Sequence, residues 1–142
     1  MKNFKILFTG GSGRFGKVLK DRYNNKKILF PTSKELDVTN YQKIKKYLIK
    51  HKPKYFVHAA ALSRPMEIHE KEIIKSIETN IVGTCNVVKA CSEKKIKLIY
   101  FSTNYVYPSK KGNYDENSAI LPFNNYGWSK LGGEAAVQMY KN

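Results

Sequence analysis

Cysteine is nearly absent: Cys85 and Cys91 are the only two in 142 residues, six apart and outside any CxxC pattern. That excludes a disulfide framework and a zinc cluster, and it makes a reducing compartment, the cytoplasm, the expected location. Long apolar runs are missing too. None approaches the roughly 18–20 residues of a membrane-spanning helix. The opening Met1-Lys2-Asn3-Phe4 runs straight into a short apolar stretch without a small-residue cleavage site, so neither a signal peptide nor a membrane partner is expected. Arginine is scarce. Only Arg14, Arg22 and Arg64 occur among 26 basic residues, and the lysines are spread over every segment. Base-edge recognition favours arginine. The formal charge of +15 is therefore read as a compositional bias that accompanies the many Asn and Ile residues, and no nucleic-acid partner is expected. A basic surface still attracts anionic small molecules, nucleotides included.

What is present is globular. Hydrophobic residues make up 42% and charged residues 26% of the chain, which is not a disordered composition. A domain of this size buries roughly 68% of its unfolded surface, so one cored domain over residues 1–142 is expected. Apolar runs suited to strands alternate with helical segments. Strands are expected at Phe4–Thr9, Lys27–Phe30, Tyr55–His58 and Lys97–Phe101. Helices are expected over Arg14–Tyr23, from the Asp37–Asn40 cap region to about His51, over Glu67–Glu93 with one break, and from Tyr126 onward. This alternation implies a parallel sheet joined by crossovers, a Rossmann-type doubly wound α/β fold with expected strand order 3-2-1-4.

The first chemical motif is Thr9-Gly10-Gly11-Ser12-Gly13-Arg14-Phe15-Gly16. It fits G-x-G-x-x-G through Gly11, Gly13 and Gly16, and G-x-x-G-x-x-G through Gly10, Gly13 and Gly16. An ordinary glycine turn would give the same letters. Here the turn follows a strand and opens a helix, which is the context that points to dinucleotide binding. Glycine lets the backbone approach a pyrophosphate, and the helix start offers free N–H groups to the anion. Arg14 and Phe15 belong to the same turn. An acidic residue for the adenosine ribose is expected about 20 residues further on. The residues there are Pro31-Thr32-Ser33-Lys34, with Glu35 and Asp37 following. Thr32, Ser33 and Lys34 suit a 2′-phosphate, which favours NADP over NAD, while Asp37 and Val38 are placed beside the adenine. The third strand ends in His58-Ala59-Ala60-Ala61. Small residues there admit a flat ligand at the crevice, or else simply pack against a helix. His58 reads as a packed, hydrogen-bonded side chain, and His51 and His69 as surface residues.

Tyr126-Gly127-Trp128-Ser129-Lys130 places a phenol and an ammonium four apart, on one face of the last helix. A free tyrosine has a pKa near 10, and a neighbouring ammonium moves it toward neutrality. A solvated helix face is the plain alternative; the glycine turn upstream shifts the weight to catalysis. Between the two motifs lies Phe101-Ser102-Thr103-Asn104-Tyr105-Val106-Tyr107. Thr103, just past the fourth strand and expected beside the first, offers a hydroxyl to the oxygen that Tyr126 protonates. Ser102 is the weaker candidate for that role.

These residues resemble the extended short-chain dehydrogenase/reductases that act on nucleotide sugars, above all the dTDP-4-dehydrorhamnose reductase branch. The resemblance is carried by TGGSGRFG (Thr9–Gly16), LDVTN (Leu36–Asn40), HAAALSRP (His58–Pro65), TNIVGTCNV (Thr79–Val87), FSTNYVY (Phe101–Tyr107) and LPFNNYGWSKLGGE (Leu121–Glu134). It implies a catalytic set of Thr103, Tyr126 and Lys130. Tyr126 would protonate the C4 oxygen of a 4-keto-6-deoxy sugar, Lys130 would lower its pKa and hold the nicotinamide ribose, and Thr103 would orient the keto oxygen. Gly10, Gly13, Arg14, Phe15, Gly16, Asp37, Val38, Ala59, Ala60, Ala61, Tyr126 and Lys130 would hold NADP or NAD, and Thr103 with Asn104 the nucleotide-sugar substrate. Asn80 matches a structural, cofactor-side Asn. No metal is implied. Asn104 stands where the family usually has Asp, and the GGSG turn is nearer the epimerase style. Family members also continue past the YxxxK helix into a C-terminal substrate domain. The chain is therefore expected to be truncated, with strand four exposed and Leu131, Ala135, Val137 and Met139 short of cover, and to form a homodimer or pair with the missing portion. Alternatives are a nucleotide-sugar 4-epimerase or dehydratase, and a non-catalytic dinucleotide-binding regulatory subunit or degenerate fragment.

Overall fold

The structure, a computed structural model, describes residues 5–23, 27–110 and 112–140. Phe4 of the expected first strand lies outside them. Strand β1 (Ile6–Thr9) is buried on both faces: Leu7 joins the core on one side, and Phe8 meets Phe15 and Phe30 on the other at ring distances of 6.0 and 5.4 Å. Alternating side-chain direction along a strand makes that division. Helix α1 (Arg14–Arg22) follows the glycine turn, and β2 (Ile28–Leu29) pairs in parallel with Ile6 and Leu7. Helix α2 (Tyr41–His51) is capped by Asn40, whose side chain accepts from the Lys43 N–H at 3.0 Å; it ends at Lys52 in the left-handed conformation, just before Pro53. Ile44 and Leu48, four apart, bury one α2 stripe against the helix over Gly83–Lys94.

Strand β3 (Tyr55–His58) pairs with β1, and β4 (Lys97–Tyr100) pairs with β3, all in parallel. The sheet order is β2-β1-β3-β4. The doubly wound parallel sheet is as expected, but the order 3-2-1-4 is not. Residues 31–39, including the LDVT run, form turns. Glu35 accepts from the Thr32 N–H and hydroxyl at 2.8 and 2.9 Å, and Asp37 from those of Thr39 at 3.0 and 2.8 Å, which satisfies polar groups a ladder would otherwise use. The chain then passes through α2 to the far side of β1, where β3 buries Phe56 and His58. Thr103 consequently follows a strand whose neighbour is β3, not β1.

The helical stretch after β3 is broken more than once. Helices α3 (Ile68–Lys71) and α4 (Ile73–Ser76) are separated at Glu72, a π-helical turn spans Ile77–Val82, and α5 (Gly83–Lys94) follows. Helix α6 (Asn125–Met139) starts one residue before the expected point, capped by Asn124, which accepts from the Gly127 N–H at 2.8 Å. Strand β4 lies at the sheet edge as expected, with Ile99 and Phe101 exposed. Along α6, Ala135 and Met139 are exposed, whereas Leu131 and Val137 are half-buried. No described helix is long and apolar enough to cross a membrane.

Candidate functional site

The carboxyl ends of β1 and β3 open into a cleft of about 680 Å³. Gly10, at φ +86°, stands against the β3 end: a Cβ there would lie 2.8 Å from the Ala59 carbonyl carbon. At Gly16 a Cβ would sit 2.3 Å from the Gly10 oxygen. The turn is closed by the Gly13 N–H bonding the Gly10 carbonyl at 3.0 Å. Gly13 supplies no side-chain cap to α1, so the helix start presents its N–H groups to the cleft, as an anion requires. Gly10, Gly13, Arg14, Phe15, Gly16, Asp37, Val38, Ala59, Ala60 and Ala61 all line this cleft. Ser33 lines it, while Thr32 and Lys34 do not. Of the residues assigned to the cofactor, Tyr126 and Lys130 are the two outside the lining.

His58 explains how the β3 end is held. It is fully buried, with Nδ1 at 2.9 Å from the Thr9 hydroxyl and Nε2 at 3.1 Å from that of Thr84. The Thr84 hydroxyl donates to the Asn80 carbonyl at 2.8 Å, so it accepts from the imidazole Nε2–H, and Nδ1 accepts from Thr9. Burial, with the Lys130 charge adding to it, pushes the His58 pKa down to about 3. A neutral imidazole that positions backbone fits the expected packing role.

Thr103 follows β4, the Lys130 side chain reaches the end of β4 at Phe101, and Tyr126 lies one helical turn before Lys130 on α6. Thr103 caps the short 3₁₀ turn Asn104–Val106, its hydroxyl accepting from the Tyr105 N–H at 3.3 Å. Burial raises the Tyr126 phenol above its ordinary range; the nearby Thr103 hydroxyl and, more weakly, the Arg64 charge pull it back. The expected downward pull by Lys130 is not among the causes. Lys130 is 2% exposed, its ammonium donates to the Phe101 carbonyl at 2.8 Å, and it lies 4.1 Å from the centre of the Tyr100 ring. Burial brings its own pKa down to about 8. Ser102 and Asn104 are exposed beside Thr103.

Two histidines depart from the surface reading. His51 is half-buried and stacks on Tyr47 at 4.2 Å. His69 is fully buried, its Nδ1 bonded to the Ser76 hydroxyl and its ring 5.0 Å from that of Tyr126. The break at Glu72 folds α3 back onto the first turn of α6, where Asn125 donates to the His69 carbonyl at 3.3 Å and to Glu70 at 2.6 Å. Helical periodicity carries no sign of such a return. The cleft also takes in Ser12, Ser63, Arg64 and Thr79, none of them singled out from the sequence. Arg64 lay within the HAAALSRP run, where its being one of three arginines was the available signal. Among the described residues no group of metal-binding side chains is assembled.

A parallel α/β sheet with a glycine-lined cleft at its carboxyl edge is the architecture of a dinucleotide-binding domain. Residues 4–142 match the family described as RmlD substrate binding domain, and the chain belongs to that family. It is 30% identical over 134 residues to the dTDP-4-keto-6-deoxy-D-glucose reductase of Streptomyces niveus, covering 92% of this chain and 46% of that protein. It is 29% identical over 142 residues to methionine adenosyltransferase 2 subunit beta of Xenopus laevis, covering 94% and 42%. The crystal structure of dTDP-4-dehydrorhamnose reductase from Bacillus anthracis in complex with NADP superposes with a TM-score of 0.89 at 30% identity, over 98% of this chain and 50% of that one. The chain thus spans about half the length of the relatives it matches.

Proposed function

We propose that this chain is the cofactor-binding half of a short-chain-type reductase that uses NADP or NAD to reduce a 4-keto-6-deoxy nucleotide sugar. The observation that carries the reading is the glycine-lined cleft at the carboxyl ends of β1 and β3, with Tyr126 and the buried Lys130 one helical turn apart on α6. The cleft fits a dinucleotide because Gly10 and Gly16 leave no room for side chains and the α1 start is uncapped. A nicotinamide dinucleotide bound there supplies the hydride. Tyr126 donates the proton to the keto oxygen, and the Thr103 hydroxyl bonds the developing alkoxide. Lys130 is tied to the Phe101 carbonyl and fixes the cationic end of the set. A phenol held above its ordinary range stays protonated at neutral pH, as a proton donor must. NADP and NAD complexes of relatives support the cofactor class.

The test is oxidation of NADPH by the chain with a dTDP-4-keto-6-deoxy sugar, wild type against Tyr126→Phe. Loss of turnover by about 10²–10⁴ with NADPH binding retained is expected. Wild-type turnover unaffected by the substitution would remove Tyr126 from the chemistry. A second reading, a dinucleotide-binding subunit without catalysis, is favoured by the similarity to methionine adenosyltransferase 2 subunit beta. It predicts NADPH binding and no turnover in either protein.

A further inference from the structure

Twenty-three lysines and three arginines share this chain, yet two of the arginines, Arg14 and Arg64, line the cleft and, among the described residues, no lysine does. Among the described residues the only acid in the lining is Asp37, and one of its oxygens is committed to Thr39. A guanidinium presents a planar fork that pairs with two phosphate oxygens, which an ammonium does not. The placement of arginines thus marks the cleft as a site for more than one phosphate.

Arg14 is the first residue of α1, beside the glycine turn. With the uncapped α1 start it accounts for one diphosphate, that of the dinucleotide. Arg64 is on the other wall, in the segment that leaves β3. That segment is held firmly: both the N–H and the carbonyl of Leu62 bond the Asn80 side chain at 2.8 Å. Asn80, fully buried on the π-helical turn, also donates to the Ser129 hydroxyl at 2.9 Å, and Ser129 donates to the Tyr126 carbonyl at 2.8 Å. Arg64 therefore begins two residues from a point fixed to the turn of α6 that carries Tyr126. Arg64 is exposed, and among the described residues no carboxylate forms an ion pair with it.

We propose that Arg64 binds a second diphosphate, that of the nucleotide-sugar substrate, at the end of the cleft nearest Tyr126. The identity of that substrate rests on the reductase reading above; the anion site does not. In a hexose reduced at C4, the phosphate on C1 lies across one sugar ring from the reacting oxygen, so a cation near Tyr126 but on the cleft wall stands where that phosphate falls. The effect of the Arg64 charge on the Tyr126 phenol agrees with this proximity.

The experiment titrates dTDP into the whole chain saturated with NADP⁺, for wild type, Arg64→Lys and Arg64→Leu, and measures NADP⁺ affinity separately. Arg64→Leu should weaken dTDP by at least tenfold and leave NADP⁺ within twofold, which also shows that the variant is folded. Arg64→Lys should recover part of the loss, since it restores charge without the fork. Unchanged dTDP affinity in Arg64→Leu, or no dTDP binding by wild type, would overturn the site. An equal loss for NADP⁺ would overturn it too, by assigning the arginine to the dinucleotide's own diphosphate. Since dTDP cannot be reduced, these outcomes are independent of whether Tyr126→Phe abolishes turnover.

Discussion

Lys130 stands in an environment that works against its charge. It is 2% exposed, and burial lowers its pKa to about 8 from 10.5. The carbonyl of Phe101 and the face of Tyr100 keep the ammonium in place. Because the folded-state value is the lower one, the unfolded chain binds more protons between pH 8 and 10.5, and the wild type gains stability as pH rises through that window. A shift of this size corresponds to roughly 3 kcal/mol, at about 1.4 kcal/mol per unit. Urea unfolding of wild type and Lys130→Met at pH 7 and pH 10.5 should show the difference between them changing by about that amount in favour of the wild type. A pH-independent difference would mean that the amine is not held charged in a dry site. His69 shows the same scale from the other side. An isolated histidine in a polar stretch reads as exposed, and only the return of α3 onto α6 buries it against Tyr126.

Among the elements, the turn between β1 and α1 was legible in full, because its demands are backbone demands that a glycine pattern expresses directly. Gly16 tests it. A Cβ there meets backbone atoms of Gly10 and Gly11 at 2.3 and 2.6 Å, which no rotamer change relieves. Gly16→Ala should cost about 1–3 kcal/mol and weaken NADPH binding at least tenfold, read by calorimetric titration, whereas Val18→Ala, on the exposed side of the same helix, should change neither. The stretch between β3 and β4 was legible only as helical. Its division into α3, α4, a π-helical turn and α5 follows from where Asn80 must point: inward, bonding Leu62 and Ser129 at once. A π turn shifts the facing of side chains by about a residue, and such turns recur at functional sites. Periodicity of apolar residues contains no information about a hydrogen-bonding partner 49 positions away.

For the molecule as a whole, the charge of +15 acts on anything anionic that approaches. Its field is long-ranged where the cleft contacts are not. NADPH affinity should therefore fall at least tenfold between about 0.1 M and 1 M salt, as the screening length shrinks from ~10 Å to ~3 Å. An affinity indifferent to salt would confine recognition to the local contacts of the glycine turn and Arg14. The sheet order belongs to this scale also. The α2 crossover carries the chain past β1, so β3 pairs with β1 rather than lying outside β2. An order argued from strands alone misses this, since strand spacing does not say to which side of β1 a crossover returns.

From its sequence the protein had a parallel α/β fold, a glycine turn between the first strand and the first helix, and a tyrosine and a lysine one turn apart on the last helix. Each of these is written in short-range terms: backbone freedom at glycine, alternation along a strand, and a four-residue spacing on a helix. Tertiary structure alone decided that β3 neighbours β1, that His69 is buried against Tyr126, that Lys130 turns to Phe101, and that Arg64 reaches the cleft from the far wall. Those outcomes depend on which distant groups satisfy one another's hydrogen bonds and exclude water together, and that pairing is settled only when the whole chain packs.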